Sequence, residues 1–347
     1  MERTVLAGKR IDFYLTFILI IALFLNGCKP SPVEDNTAPQ IDNTIHKNDS
    51  TQAQNNSFPT FSADSAFAHI EKQLEFGPRI PNSKGHKNCG DFLINKLKQY
   101  SDHVLVQQAT VTAYTGDALN IKNIIARFDK DNSNRIVLYA HWDTRPFADR
   151  DPSKSKKPVM GADDGASGVA VLIEIARLLK EKNPGIGVDI ILFDGEDYGD
   201  AGGAPETYCL GSQYWAKNPP IPGYYAKYGI LLDMVGAANA RFCKEGWSMR
   251  FAPGVVEKVW STAQSLGFGN YFINKMMDPI TDDHYFVNTL ARIPSIDIIN
   301  FDNENSTVGF APHWHTLNDD INIIDKNTLH AVGTTLSTVI FTEKNNL

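Results

Sequence analysis

The sequence predicts an α/β protein: a single domain with a central mixed, mostly parallel β-sheet flanked by helices on both faces. Short β-branched apolar runs, such as residues 188–193, alternate with long amphipathic runs, such as residues 167–182. The short runs are nearly continuous in apolar residues, as in strands covered on both faces. A third observation bears on function. The run at 188–193 leads straight into Asp194-Gly195-Glu196-Asp197, three carboxylates in four residues. Packed together they repel one another, and a bound cation or a shared proton removes that cost. Ligands of open α/β sheets bind beyond the carboxyl ends of the strands. A solvated acidic turn is the plainer alternative.

The first 28 residues are expected to be a targeting segment. Arg3, Lys9 and Arg10 precede an apolar run at 13–25 that is too short for a comfortable membrane span. It ends in Leu25-Asn26-Gly27-Cys28, which resembles a bacterial lipobox. Cys28 would then carry lipid and become the mature N-terminus. That predicts an exported lipoprotein of the periplasm or outer membrane, which meets the membrane through its lipid anchor only. An uncleaved anchor and an ordinary signal peptide are the alternatives. Residues 29–59 are rich in Ser, Asn, Asp, Thr, Gln and Pro and read as a flexible tether. One globular domain is expected over residues 60–347.

Within that domain the elements follow in order. A helix is expected at 62–76, capped by Ser62 or Asp64, with Phe67, Ile70 and Leu74 on one face and Gly77-Pro78 after it. A second helix covers 84–100, with Phe92, Leu93 and Leu97 as its apolar side. Residues 104–114 alternate as a strand; 120–128 and 135–140 are two more, joined by the polar turn 129–134. The helix at 167–182 aligns Val169, Leu172, Ile173, Ala176 and Leu179 and ends at Asn183-Pro184. After the strand at 188–193 come a short helix at 212–216, a buried strand at 229–235 and a helix at 253–266. A strand at 295–301 and a closing helix at 327–341 complete the domain.

The composition, 42% hydrophobic and 21% charged with net charge −7, leaves enough apolar residues for a sizeable core. No basic stripe is present, which argues against nucleic acid as a partner. The densest basic run, Lys154-Ser155-Lys156-Lys157, lies between Pro152 and Pro158 and reads as a solvated loop. Cys89, Cys209 and Cys243 lack CxxC spacing, so a cysteine zinc site is not expected. A Cys209–Cys243 disulfide and buried free thiols both stay open.

Potential metal ligands follow the strands one after another. His141-Trp142-Asp143 follows the strand at 135–140, and Asp163-Asp164-Gly165-Ala166-Ser167-Gly168 opens the helix behind it. Glu196-Asp197 and Asp233 end two further strands, and Asp282-Asp283-His284 and His313-Trp314-His315 come late. Carboxylates and imidazoles delivered by separate strand ends are how a catalytic zinc site is assembled, with three protein ligands and one open position. Any single motif here is weak; a DDGxSG turn alone is also a helix cap. Their order and placement together are specific.

The segments HWD (141–143), GADDGASGVAVLIEIAR (161–177), LFDGED (192–197) and LLDMVG (231–236), with a late histidine, resemble the M28 zinc peptidase superfamily. PITDDHYF (279–286) and WHTLNDD (314–320) make the chain similar to its glutaminyl-peptide cyclotransferase branch, over about residues 60–347. The resemblance implies one zinc per chain, held by Asp164, Asp197 and His315. It implies Glu196 as the acid/base, Asp233 and Asp282 as an acidic network beside it, and Phe310 and Trp314 as pocket aromatics. Asp197 stands where many members carry glutamate. The aromatic that animal members have in the loop after the glutamate pair is missing from residues 199–206, so Tyr198 or Tyr208 is the expected substitute. The implied substrates are peptides and proteins with N-terminal glutamine, cyclised to pyroglutamate with release of ammonia, and the implied enzyme is a monomer. His141 and Asp143 are expected to orient ligands. In two-zinc aminopeptidases the matching histidine and the residue matching Asp233 hold a second metal. A two-zinc aminopeptidase and a non-enzymatic binding domain on the same scaffold are therefore the competing readings. His284 and His313 are expected to be hydrogen-bonded neighbours, and Trp215, Trp247 and Trp260 to be core.

Overall fold

The computed structural model describes residues 58–153, 155–304, 306 and 308–343. The expected targeting segment with Cys28, and the tether up to residue 57, lie outside the described residues.

The chain opens with helices α1 (Ala63–Leu74) and α2 (Lys84–Lys98), capped by the side chains of Ser62 and Ser83. Strands β1 (His103–Thr112), β2 (Ala118–Phe128) and β3 (Arg135–His141) follow, then helix α3 (Ala166–Glu181) and strand β4 (Gly187–Phe193). Helix α4 (Leu210–Lys217), strand β5 (Gly229–Asp233), strand β6 (Phe242–Lys244) and helices α5 (Gly246–Phe251) and α6 (Pro253–Ser265) come next. Strand β7 (Phe272–Met276), helix α7 (Asp283–Phe286), strand β8 (Ser295–Ile299) and helix α8 (Lys326–Thr342) close the domain.

Six strands form one sheet in the order β1-β2-β4-β3-β5-β8. The pairs β1–β2 and β2–β4 are antiparallel; β4, β3, β5 and β8 run parallel. Parallel strands alternate their side chains between two apolar layers. Ile136, Leu138 and Ala140 of β3 join Val188, Ile190 and Leu192 of β4 beneath α1, α2, α3 and α8. Val137, Tyr139, Ile191 and Phe193 face the other way, against Trp215 of α4. The mixed, mostly parallel sheet covered on both faces is therefore as expected. The chain leaves β3 through α3 to β4 on one side and reaches β5 on the other. This switch point sits at the carboxyl end of β3, where a crevice opens.

Close packing of α3 on the sheet depends on Gly168. A Cβ there would lie 2.3 Å from the Leu232 carbonyl oxygen and 3.0 Å from Ala140 Cβ. Both neighbours belong to the sheet and do not yield. Gly168→Ala is expected to destabilise the protein by about 3 kcal/mol or more, read as a lower urea midpoint; an unchanged midpoint would show that α3 has room to shift.

Four elements had no expectation. Strands β6 and β7 form a separate two-stranded parallel sheet beside β8, and helices α5 and α7 are short, of six and four residues. The three described cysteines are free, so the Cys209–Cys243 disulfide does not form. Trp215 and Trp260 are buried, as expected of core residues. Among the described residues no helix is long and apolar enough to cross a membrane.

Candidate active site

The carboxyl ends of β3, β4, β5 and β8 surround a cavity of about 300 Å³. Asp164, Glu196, Asp197, Asp233, Asp282 and His315 line one part; Ile280, Ile299, Phe310, Trp314 and Tyr208 line the rest. No lysine or arginine is among the lining residues.

Each side chain is placed by its strand. His141 is the last residue of β3 and Asp233 the last of β5. Asp164 comes from the loop into α3, whose N-cap, Gly165, makes no side-chain capping bond. Of the two aspartates in this Asp-Asp-Gly turn, Asp164 lines the cavity. The turn's shape is held from outside: both Asp319 oxygens accept, from the Asp163 N–H at 2.7 Å and the Asp164 N–H at 3.1 Å. Asp163 itself accepts from the N–H groups of Gly236 and Ala237 and meets His313 Nε2 at 2.9 Å. Asp143 accepts from the N–H groups of Glu196 and Asp197 at 3.0 and 3.2 Å, fixing the turn that presents them.

Asp164, Asp197 and His315 offer ligand atoms that all lie within 4.8 Å of one another, and all three residues are buried. His315 Nε2 is 3.1 Å from Asp197 and 3.8 Å from Asp164. His315 Nδ1 is 3.2 Å from Asp149, whose other oxygen holds Arg145 at 2.6 Å. Arg145 donates to the carbonyls of Asp197 and Gly199. A carboxylate on the far nitrogen of a histidine is the usual partner of a metal-binding imidazole. Both Asp197 side-chain oxygens are buried without a hydrogen-bond partner. Unpaired buried carboxylate is costly, and a divalent cation between these residues removes the cost. The donor set of two carboxylates and one imidazole fits zinc. His141, Asp164 and Asp233 form a second group of three, with His141 Nε2 3.0 Å from Asp164 and 3.1 Å from Asp233.

Burial pushes the Glu196 carboxyl well above its ordinary value; His141 opposes that, and Asp282, Asp197 and Asp283 add to it. Burial also lifts Asp233, with His141 opposing and Asp282 adding. The cavity therefore pairs a metal-type donor set with carboxyls that hold protons readily.

The structure separates several expected residues. Asp194 turns away from the cavity and pairs with His86 at 2.8 Å, so only Glu196 and Asp197 of the acidic turn serve the site. Tyr208 lines the cavity, whereas Tyr198 packs on Ala113, Leu119 and Ile121 away from it. Phe310 and Trp314 stack at 4.1 Å to form its apolar wall. His284 and His313 are hydrogen-bonded neighbours, of Glu245 and Asp163. Asp149 and Arg145 went unnoticed in the sequence, and Cys209 was weighed there only for zinc or a disulfide. Asp319 stood inside WHTLNDD without a role.

Strand-end carboxylates and histidines gathered at a switch point define a metal-dependent α/β enzyme. The chain belongs to peptidase family M28, whose profile matches residues 123–340. It is similar to a solved glutaminyl cyclase of Bacteroides thetaiotaomicron bound to N-acetylhistamine: 49% identity, TM-score 0.80, covering 83% of this chain and 100% of that one. A solved Zn-dependent exopeptidase of Parabacteroides distasonis matches at 52% identity and TM-score 0.81, with the same coverage. The glutaminyl-peptide cyclotransferase of Drosophila melanogaster is 26% identical over 277 residues, 72% of this chain and 73% of that protein.

Proposed function

We propose that this protein is a zinc-dependent glutaminyl-peptide cyclotransferase with one zinc per chain. The observation that carries the reading is Glu196 standing in the same cavity as the Asp164, Asp197 and His315 donor set. The similarity to glutaminyl cyclases supports it. In the reaction the α-amine of an N-terminal glutamine attacks its own γ-amide carbon. A five-membered lactam closes, the carbon–nitrogen bond of the amide breaks, and ammonia leaves.

Zinc held by Asp164, Asp197 and His315 would supply Lewis acidity toward the γ-amide oxygen. Glu196 accepts the proton that the amine loses on attack and returns one to the leaving nitrogen. Burial, with Asp282, Asp197 and Asp283 nearby, keeps its proton affinity high enough for that exchange. Phe310, Trp314, Ile280 and Ile299 pack on the aliphatic part of the side chain and hold it folded toward its own amine, an orientation effect. His141 spends Nε2 between Asp164 and Asp233, and Asp143 holds the Glu196-Asp197 turn.

The competing reading, a two-zinc aminopeptidase, draws on the second donor group of His141, Asp164 and Asp233. One assay separates the two. A Gln-initiated dipeptide is expected to yield one ammonia per peptide and a pyroglutamyl product, from protein with one zinc per chain by elemental analysis. Release of the first residue as a free amino acid, or two zincs per chain, would count for the aminopeptidase. We also propose export with lipid on Cys28, checked by palmitate labelling that the parent takes and Cys28→Ala loses, and a monomer, checked by light scattering.

A further inference from the structure

One residue holds Glu196 at two points. The Cys209 thiol donates to Glu196 Oε1 at 3.3 Å, and the Cys209 N–H donates to the Glu196 carbonyl at 2.9 Å. The Leu210 N–H adds a bond to the Gly195 carbonyl at 3.0 Å, so the start of α4 lies as a strap along the acidic turn. Among the described residues, no other side chain is recorded as donating to Glu196. Sγ, a Glu196 oxygen and an Asp282 oxygen all lie within 4.8 Å of one another.

Two further features mark the position. Cys209 is fully buried, which keeps it from solvent and from alkylating or oxidising agents. Its backbone is left-handed, φ 56° and ψ 36°, a conformation uncommon and costly for a residue with a Cβ. Glycine or asparagine would take that conformation at lower cost. What cysteine adds there is a side chain aimed at the carboxylate. Burial and the neighbouring Glu196 push the thiol's pKa well up, so it stays protonated and able to donate.

We propose that Cys209 is a positioning residue for Glu196: its thiol fixes one carboxylate oxygen and leaves the other for the substrate amine. The inference rests on the reading of Glu196 as the proton carrier. Glu196 reaches the cavity on a flexible side chain, and a proton carrier acts only within hydrogen-bond reach of the amine. Fixing one oxygen removes the rotamers that point elsewhere.

The test compares Cys209→Ala, Cys209→Gly and Cys209→Ser in the zinc-loaded full chain, with Glu196→Gln beside them. Cys209→Ala and Cys209→Gly are expected to lower kcat about tenfold, with KM within about twofold and zinc content unchanged. Cys209→Gly relieves the left-handed strain, so its Tm should equal or exceed that of Cys209→Ala while its kcat stays low. Cys209→Ser keeps a donor and should recover kcat to within about twofold of the parent. Parental kcat in Cys209→Ala, or an equal fall in Cys209→Ser, overturns the inference when Glu196→Gln is inactive. Parental turnover in Glu196→Gln instead overturns the assignment of Glu196 itself.

Discussion

Glu196→Gln is expected to lower kcat on a Gln-initiated dipeptide by about a thousandfold, with zinc content and Tm at parental values. Glutamine has the size and shape of glutamate, so the cavity keeps its form. The bonds from the Glu196 N–H to the Asp143 carboxylate and from the Cys209 N–H to the Glu196 carbonyl do not involve the side chain that changes. The amide cannot accept the amine's proton, and the proton transfer is what the substitution removes. It adds no charge to a cavity lined by Asp164, Asp197, Asp233 and Asp282, so folding stability has no reason to fall. Steady-state kinetics with elemental analysis on the same preparation decide the matter. Undiminished kcat would take proton transfer away from Glu196.

Asp164→Ala should have a second large effect, by a different route: zinc is lost on dialysis, and kcat/KM falls by roughly a thousandfold or more. Asp164 is the carboxylate that both site histidines reach, 3.0 Å from His141 and 3.8 Å from His315. Without it the donor set shrinks to Asp197 and His315, too few for tight zinc binding. Lewis-acid stabilisation is worth several kcal/mol, which at a tenfold change per 1.36 kcal/mol gives the magnitude. The loop itself should survive, because Asp319 holds the backbone at 163 and 164 and not the side chain. Circular dichroism should therefore match the parent. A variant that keeps stoichiometric zinc through dialysis would remove Asp164 from the ligand set.

The residues legible in the sequence were those whose position follows from strand geometry. His141, Asp233 and Glu196-Asp197 stand at the ends of apolar strands, and a parallel sheet delivers such ends to one edge. Asp194 was counted with its neighbours because composition carries no direction; the turn at Gly195, φ 68°, sends it to His86 instead. Strand β6 is three residues long, too short to show a period. Asp149, Arg145 and Cys209 act through bonds to residues 13 to 166 positions away, and no local pattern announces such partners. Tyr198 and Tyr208 are alike as letters, and only the packing of the loop between them tells which faces the cavity.

The three residues of the donor set stand at positions 164, 197 and 315, on loops that follow β3, β4 and β8. Synthesis proceeds from the amino terminus, so His315 emerges long after the two aspartates. A nascent or truncated chain ending before it lacks the imidazole of this donor set. Completion of this donor set is thereby postponed until the last parallel strand has docked, which couples metal binding to folding.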